Sequence, residues 1–372
     1  MDLKDIKNNS DWQVFSEDDP FNNNFVEGFL CHTSGDAYGA LFITKINHEK
    51  AENFILTTPK IRYPFDSQMR WHFPKAVTIH CYEKLDGTNI FAYSYKDSNG
   101  KVYVSYKTRL TPFLKDSKFG PFKEMWKEIL SRYPEIPKVV LRHGINISFE
   151  LWGSRNPHLV KYNAPLEASA LFIRSEGKVE PPIGSLSVLS SMIHFPFASF
   201  IREVKKDYVW SYQQAQEESE NKLKETEDGY LGSEGEVWYL LDELNNWHLY
   251  KCKPHTIENI HWSQGGIGKN IIVATCYNAY ENYDNPTVEN VVQLLLEEFS
   301  QSEVDKIYYG IENNLQNIKE QYEFKQLVLN EYNQLGISIL VDKVSVMRAL
   351  SYKFEKNKMN SVFSIIWSKE VK

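Results

Sequence analysis

Five charged residues, far apart in the chain, have the types needed to move a phosphoryl-linked group. Lys84 stands in Glu83-Lys84-Leu85-Asp86-Gly87-Thr88-Asn89, Glu150 in Phe149-Glu150-Leu151-Trp152-Gly153, Glu234 in Glu234-Gly235-Glu236-Val237, and Lys251 and Lys253 in Lys251-Cys252-Lys253. The successive separations are 66, 84 and 17 residues (84 to 150, 150 to 234, 234 to 251). A lysine at a strand end, followed by an acid and a glycine in a tight turn, is placed to act as a nucleophile. It attacks only as the neutral amine, so neighbouring cations that depress its pKa would serve it. A hairpin tip with a solvated lysine is the plainer alternative for Lys84 alone. Glu150, among Phe149, Leu151 and Trp152, is costly if buried without a partner, so it either faces solvent or serves a ligand.

Alternating or continuous apolar runs place these residues on strands. Val77, Ile79 and Cys81 alternate ahead of Lys84, and residues 90–95 continue as an aromatic, β-prone run. Asp97-Ser98-Asn99-Gly100 is a turn into a strand over 101–106. Lys107-Thr108-Arg109 follows that strand, which puts Arg109 within reach of an anion near Lys84. Further strands are expected over 38–46, 53–58, 145–153 and 167–174, the last centred on Leu171-Phe172-Ile173, and over 247–253. On a strand, Lys251 and Lys253 share a face that Tyr250 and Cys252 do not. Phe122, Met125, Trp126 and Ile129 have helical spacing. Residues 211–228 are highly charged and read as a solvated helix or loop. Arg62, Arg70 and Lys75 read as surface charge, with a phosphate contact as the alternative.

The 264–270 stretch, Gln-Gly-Gly-Ile-Gly-Lys-Asn, falls short of a phosphate-binding loop. Ser263 stands where the first glycine belongs and Asn270 where Ser or Thr belongs. It reads as a linker. Beyond it, Thr287 can cap a helix carrying Val291, Val292, Leu294, Leu295 and Phe299, and Gly336 can stop a long helical stretch from residue 302. Residues 280–372 therefore form a helical domain, expected to pack as its own unit and to contribute substrate choice or docking.

At 372 residues and 42% hydrophobic the chain can bury a sizeable core. A net charge of −7 argues against non-specific coating of nucleic acid, though not against a local basic groove. Cys31, Cys81, Cys252 and Cys276 lack C-x-x-C spacing, so neither zinc nor a disulfide framework is suggested. No run reaches a membrane span and the first nine residues are charged and polar. The expectation is a soluble, monomeric, cytoplasmic protein.

Taken together and in this order, the motifs resemble the covalent nucleotidyltransferase superfamily of ATP-dependent ligases and mRNA capping enzymes, nearest to the phage-type RNA ligases. The resemblance covers roughly residues 76–255. It implies an α+β fold: a nucleotidyltransferase (adenylation) domain of antiparallel sheets with flanking helices over 76–279, a β-rich lead-in over 1–75 packed on it, and the helical domain over 280–372. The implied activity is sealing of RNA 5′-phosphate and 3′-hydroxyl ends, in RNA or tRNA repair, through lysyl-AMP and RNA-adenylate.

Lys84 would be the nucleophile, with Lys251 and Lys253 on the α-phosphate. Glu234 would hold Mg²⁺, with Mn²⁺ as a substitute. Glu150 would contact the ribose and Phe172 would stack on adenine, with ordinary core packing as the alternative for Phe172. Glu83, Asn89 and Arg109 match further nucleotide-binding positions, whereas Glu236 reads as solvated. No late R-x-D-K motif is found, which disfavours capping and DNA ligation. Two alternatives stand beside ATP-dependent RNA ligation: guanylyl transfer from GTP, and a non-catalytic RNA-binding protein on a ligase scaffold.

Overall fold

The computed structural model describes residues 6, 11–32, 36–65, 70–116, 120–182, 194–226, 229–257, 267, 269–283, 285–296, 299 and 301–370. Most of the 264–270 linker lies outside the described residues. The chain divides into two compact units, residues 1–268 with 281–284, and residues 269–280 with 285–372.

The first unit is built of antiparallel sheets flanked by helices. Strands β1 (Trp12–Asp18), β2 (Phe25–Cys31), β3 (Leu41–Ile46) and β4 (Glu49–Ile55) form a meander in chain order. Strands β6 (Thr88–Lys96), β7 (Val102–Lys107), β8 (Asn146–Trp152), β9 (Glu167–Ser175) and β10 (Lys178–Glu180) form a second sheet, ordered β10-β9-β8-β6-β7. A third sheet, ordered β11-β5-β14-β15, contains β5 (Ala76–Glu83), β11 (Phe200–Val204), β14 (Glu236–Asp242) and β15 (Trp247–Cys252). A small hairpin, β12 (Lys224–Thr226) with β13 (Gly229–Leu231), completes the set.

The second sheet is covered on both faces, which explains its nearly continuous apolar strands. One face (Ile90, Ala92, Ile147, Phe149 and Leu151) packs on helices α1 (Phe122–Arg132) and α2 (Ile136–His143) through Met125, Trp126, Ile129, Val139 and Val140. The other (Phe91, Tyr93, Tyr95 and Phe172) shares a cluster with Phe15, Val26 and Leu41 of the first sheet and Tyr82, Val237 and Tyr239 of the third. The far face of the third sheet, Ile79, Cys81, Trp238 and Leu240, packs on Tyr212 and Ala215 of helix α3 (Tyr208–Lys222).

Two readings are corrected here. The charged 211–228 stretch is not a solvated segment throughout, because α3 buries Tyr212, Ala215, Gln216 and Ser219. These recur at helical spacing, and their small or polar character hid the inward face. Glu236 is not solvated either: it is 2% exposed. In β5, Ile79 and Cys81 point inward as alternation predicts, while Val77 at the strand's start is 62% exposed.

The second unit is helical. Helix α4 (Lys269–Asn282) belongs to it up to Tyr280, and α5 (Val288–Leu296), α6 (Gln301–Asp305), α7 (Tyr308–Leu335), α8 (Lys343–Ser351) and α9 (Met359–Glu370) follow. Thr287 Oγ1 accepts from Asn290 N ahead of α5, and Gly336, at φ +66°, terminates α7 in the left-handed region. Val328, Tyr332, Val346, Leu350, Val362 and Ile366 make its core. No described helix is long and apolar enough to cross a membrane.

Candidate active site

Lys84 lies between β5 of the third sheet and β6 of the second. Its amide donates to Gly235 O at 2.9 Å, which draws the Lys84 turn against the start of β14. Two glycines permit the approach. A Cβ on Gly87 would lie 2.2 Å from Leu151 O, and one on Gly235, at φ +121°, would lie 2.0 Å from Cys252 O. The backbone thus brings four chain segments, around residues 84–87, 151, 235 and 252, to one place.

Glu234 is the centre of the charge cluster. Its Oε2 lies 2.5 Å from Lys84 Nζ and its Oε1 2.8 Å from Lys253 Nζ. Burial raises its proton affinity, but the two ammonium groups prevail and hold the carboxyl down at about 2. Glu150 behaves oppositely. Its Oε1 accepts from Gly87 N at 3.1 Å, and burial pushes its carboxyl up to about 7 against the opposing pull of Lys84. Asp86 is also raised, by burial first and by the charge of Glu234, with His158 and the Val160 amide pulling the other way. One carboxyl held down and two pushed up therefore gather around the Lys84 side chain.

Lys251 and Lys253 are both buried, and α3 fixes their backbone. Tyr212 Oη donates to Lys251 O at 2.9 Å and Gln216 Nε2 to Lys253 O at 3.0 Å. Lys253 reaches Glu234, whereas the Lys251 ammonium lies 4.4 Å from the centre of the Tyr63 ring. Asn89 stands opposite Glu150 in the β6–β8 register. Its Nδ2 donates to Ser148 Oγ at 2.9 Å and Phe149 O at 3.0 Å. Its Oδ1 is buried with no partner among the described residues, a free acceptor beside Glu150. Glu83 closes β5, with its amide donating to Ser199 O at 2.9 Å.

Two of the anticipated residues make no polar contact with this charge cluster among the described residues. The Arg109 guanidinium lies 5.3 Å from the Tyr38 ring centre. None of its contacts among the described residues is with Lys84, Glu150, Glu234 or Lys253. Phe172 has no exposed surface and packs in the core between the sheets, so the structure gives its ring no open face.

Asp86, Asn156, His158 and Tyr162 also surround the Lys84 turn and were not anticipated as site residues. Only Asp86 carried a signal, its place two residues after the lysine. The other three lie in an irregular segment after β8 with no periodicity to mark them. Among the described residues no group of three His, Cys, Asp or Glu side chains gathers as a metal cage. Glu234, the carboxyl held down by its neighbours, offers a hard oxygen donor of the type that suits a divalent ion carried mainly by phosphate and water.

No protein-family model matches the chain, and no curated protein sequence matches it. Solved structures similar to it include an archaeal ATP-dependent RNA ligase, at 16% identity and TM-score 0.49 over 84% of this chain and 74% of that one. A putative ATP-dependent DNA ligase from Aquifex aeolicus matches at 12% identity and TM-score 0.45, over 92% and 85% of the two chains. A Naegleria gruberi RNA ligase with pyrophosphate matches at 10% identity and TM-score 0.38, over 56% and 62%.

Proposed function

We propose that the protein is an ATP-dependent RNA ligase of the phage type that works through lysyl-AMP. The observation that carries this reading is the pairing of Lys84 and Lys253 with a single carboxylate, Glu234, beside Glu150. These are the motif residues singled out by type and order. An anion entering the cluster competes with Glu234 for both ammonium groups. An α-phosphate held by Lys253 would release Lys84 from its counterion, and Lys84, partly open to solvent, would pass its proton to water, attack the phosphorus and expel pyrophosphate.

The adenylyl group then passes to an RNA 5′-phosphate, and a 3′-hydroxyl displaces AMP to form the phosphodiester. Glu150 serves the nucleotide ribose, Asn89 offers its free Oδ1, and Lys251 and Lys253 stabilise charge on the phosphate. Glu234, vacated by the lysines, is the carboxylate for Mg²⁺, which would neutralise phosphate charge when bound. Incubation with α-labelled ATP or GTP and Mg²⁺, followed by detection of labelled protein, tests the proposal. Label from ATP alone supports it. Label from GTP alone transfers the reading to guanylyl transfer, and label from neither leaves the scaffold as an RNA-binding protein.

The helical unit, by this reading, supplies substrate choice rather than phosphoryl chemistry. Residues 281–284 belong to the first unit, where Asn282 Oδ1 accepts from Leu110 N at 3.2 Å, so a truncation should end after residue 284. Such a protein is expected to form lysyl-AMP at the full-length rate but to seal RNA poorly. Equal sealing by both proteins would remove the substrate role.

A further inference from the structure

The segment between β8 and β9 wraps the Lys84 turn with four polar contacts. Asn156 Nδ2 reaches Thr88 Oγ1 at 3.1 Å and Leu151 O at 2.7 Å. His158 Nε2 lies 3.3 Å from the same Thr88 hydroxyl. Val160 N donates to Asp86 Oδ2 at 2.7 Å, and Asp86 N donates to Tyr162 Oη at 2.8 Å. Both charged and uncharged atoms of the turn are therefore held from one side.

The segment is itself pinned from behind. Tyr230 N, in β13, donates to Leu159 O at 2.9 Å, and Lys161 N donates to Tyr230 O at 2.8 Å. Asn156, Thr88 and Val160 are nearly or wholly buried, at 6%, 2% and 1% exposure, while His158 is only half-buried. A buried polar network whose members are all bonded fixes one geometry. Here the geometry it fixes is that of the residues immediately after Lys84.

We propose that residues 156–162 are a clamp on the Lys84-Leu85-Asp86-Gly87-Thr88 turn, and that His158 is its positioning residue. His158 acts through its ring nitrogen, which holds the Thr88 hydroxyl. The clamp does not touch the reacting atoms. It sets where the Lys84 amine stands, and a loose turn would lose the alignment that attack on phosphorus requires. Its effect on catalysis rests on the proposed adenylyl transfer, but its effect on the turn does not.

Native-state hydrogen exchange, read on peptides covering residues 84–88, tests the clamp without any substrate. His158→Ala and Tyr162→Phe are each expected to speed exchange there about tenfold while the melting temperature stays near the parent's, because the opening is local. His158→Gln, which keeps a partner for Thr88, should restore slow exchange. Unchanged exchange in both His158→Ala and Tyr162→Phe overturns the clamp. Should His158→Ala melt globally, Tyr162→Phe and His158→Gln decide it by the same readout.

In the labelling assay His158→Ala should lower the rate of adduct formation tenfold or more. His158→Gln, which keeps a partner for Thr88, should recover most of that rate. An equal loss in His158→Gln and His158→Ala would remove the positioning role. A parent protein that takes no label, yet shows the exchange pattern, would refute the ligase reading and leave the clamp standing.

Discussion

Glu234 and Glu236 are two residues apart, both buried, both ionic, and held by opposite kinds of partner. Glu236 Oε1 pairs with the Arg202 guanidinium at 2.6 Å, and its Oε2 accepts from Trp238 Nε1 at 2.9 Å. Arg202 is in turn tied to Glu218 of α3 at 2.6 Å. A planar guanidinium and an indole have little freedom once packed, so this pair is a fixed strut between β11, β14 and α3. Glu234 instead holds two ammonium groups on four-carbon stems, at the ends of strands rather than within them. Point charges on flexible stems can be drawn away by a competing anion, whereas a forked, packed guanidinium cannot be without unfolding its surroundings. The same acid, two positions apart, is locked between packed partners in one case and paired with flexible ones in the other.

The sharpest way to break that comparison is at Lys84. Lys84→Arg keeps a cation for Glu234 but offers no free amine, so the variant should fold, melt like the parent and form no adduct at all. A labelled adduct in Lys84→Arg or Lys84→Ala would end the assignment of the nucleophile.

Glu236→Ala should show the reverse pattern. Removing Glu236 leaves Arg202 with Glu218 alone and Trp238 Nε1 without its acceptor, which costs roughly 1–3 kcal/mol of stability. Thermal melting should fall steeply, while the fraction still folded at low temperature labels at the parent rate. A variant that melts normally and labels slowly would move Glu236 from strut to site.

Glu234→Ala and Lys253→Ala come next, each expected to slow adduct formation by a factor of about one hundred to one thousand, the usual loss for one transition-state contact. Glu234→Ala also strips two ammonium groups of their shared buried carboxylate and should melt below the parent, whereas Lys253→Ala leaves Glu234 paired with Lys84 and should melt closer to it. If Lys253→Ala melts far below the parent, its loss of activity belongs to folding and the distinction between the two glutamates collapses.

Much of this arrangement was legible in the sequence because Lys84, Glu234 and Lys253 sit at ends or turns of strongly patterned strands and Glu150 is the one acid within an apolar one. The fold class was legible for the same reason: strand and helix periods are local signals. What escaped was set by register and burial. A period-two reading of Leu171-Phe172-Ile173 leaves the orientation of Phe172 open, and the β8–β9 pairing shifts register between Ser148 and Phe149. Leu171 and Phe172 consequently belong to the same apolar cluster, with Phe172 sealed in the core. Likewise Lys107-Thr108-Arg109 read as a strand end with a cation for a phosphate. Its more constrained cation is Lys107, wholly buried, with Nζ donating to Gly39 O, Thr108 O and Arg109 O at 3.1, 2.8 and 2.7 Å. Nothing in three consecutive residues says which of two cations turns inward. The clamp on the Lys84 turn escaped because an irregular segment has no period, and only its contacts reveal it.

The smallest expected effect compares Glu234 with Glu150, whose carboxyls move in opposite directions. Glu234, held at about 2 against an ordinary 4.5, contributes stability that is present above pH 4.5 and lost as the pH falls towards 2. Glu150, raised to about 7, keeps a proton in the folded protein that the unfolded chain has already released. Between about pH 4.5 and pH 7 the folded state therefore binds more protons than the unfolded one, and this group's contribution falls as the pH rises, levelling off above 7. Glu150→Gln keeps an oxygen for the Gly87 amide and removes the titration. The variant should match the parent near pH 4 and become the more stable of the two by pH 8, by at most roughly 3 kcal/mol. Some of that gain is offset because Lys84 loses a neighbouring negative charge. Melting curves of both proteins from pH 4 to pH 8 measure the difference directly. Parallel curves would mean that Glu150 is ionised throughout, held by Lys84 much as Glu234 is, and the two acids would then be one kind of site rather than two.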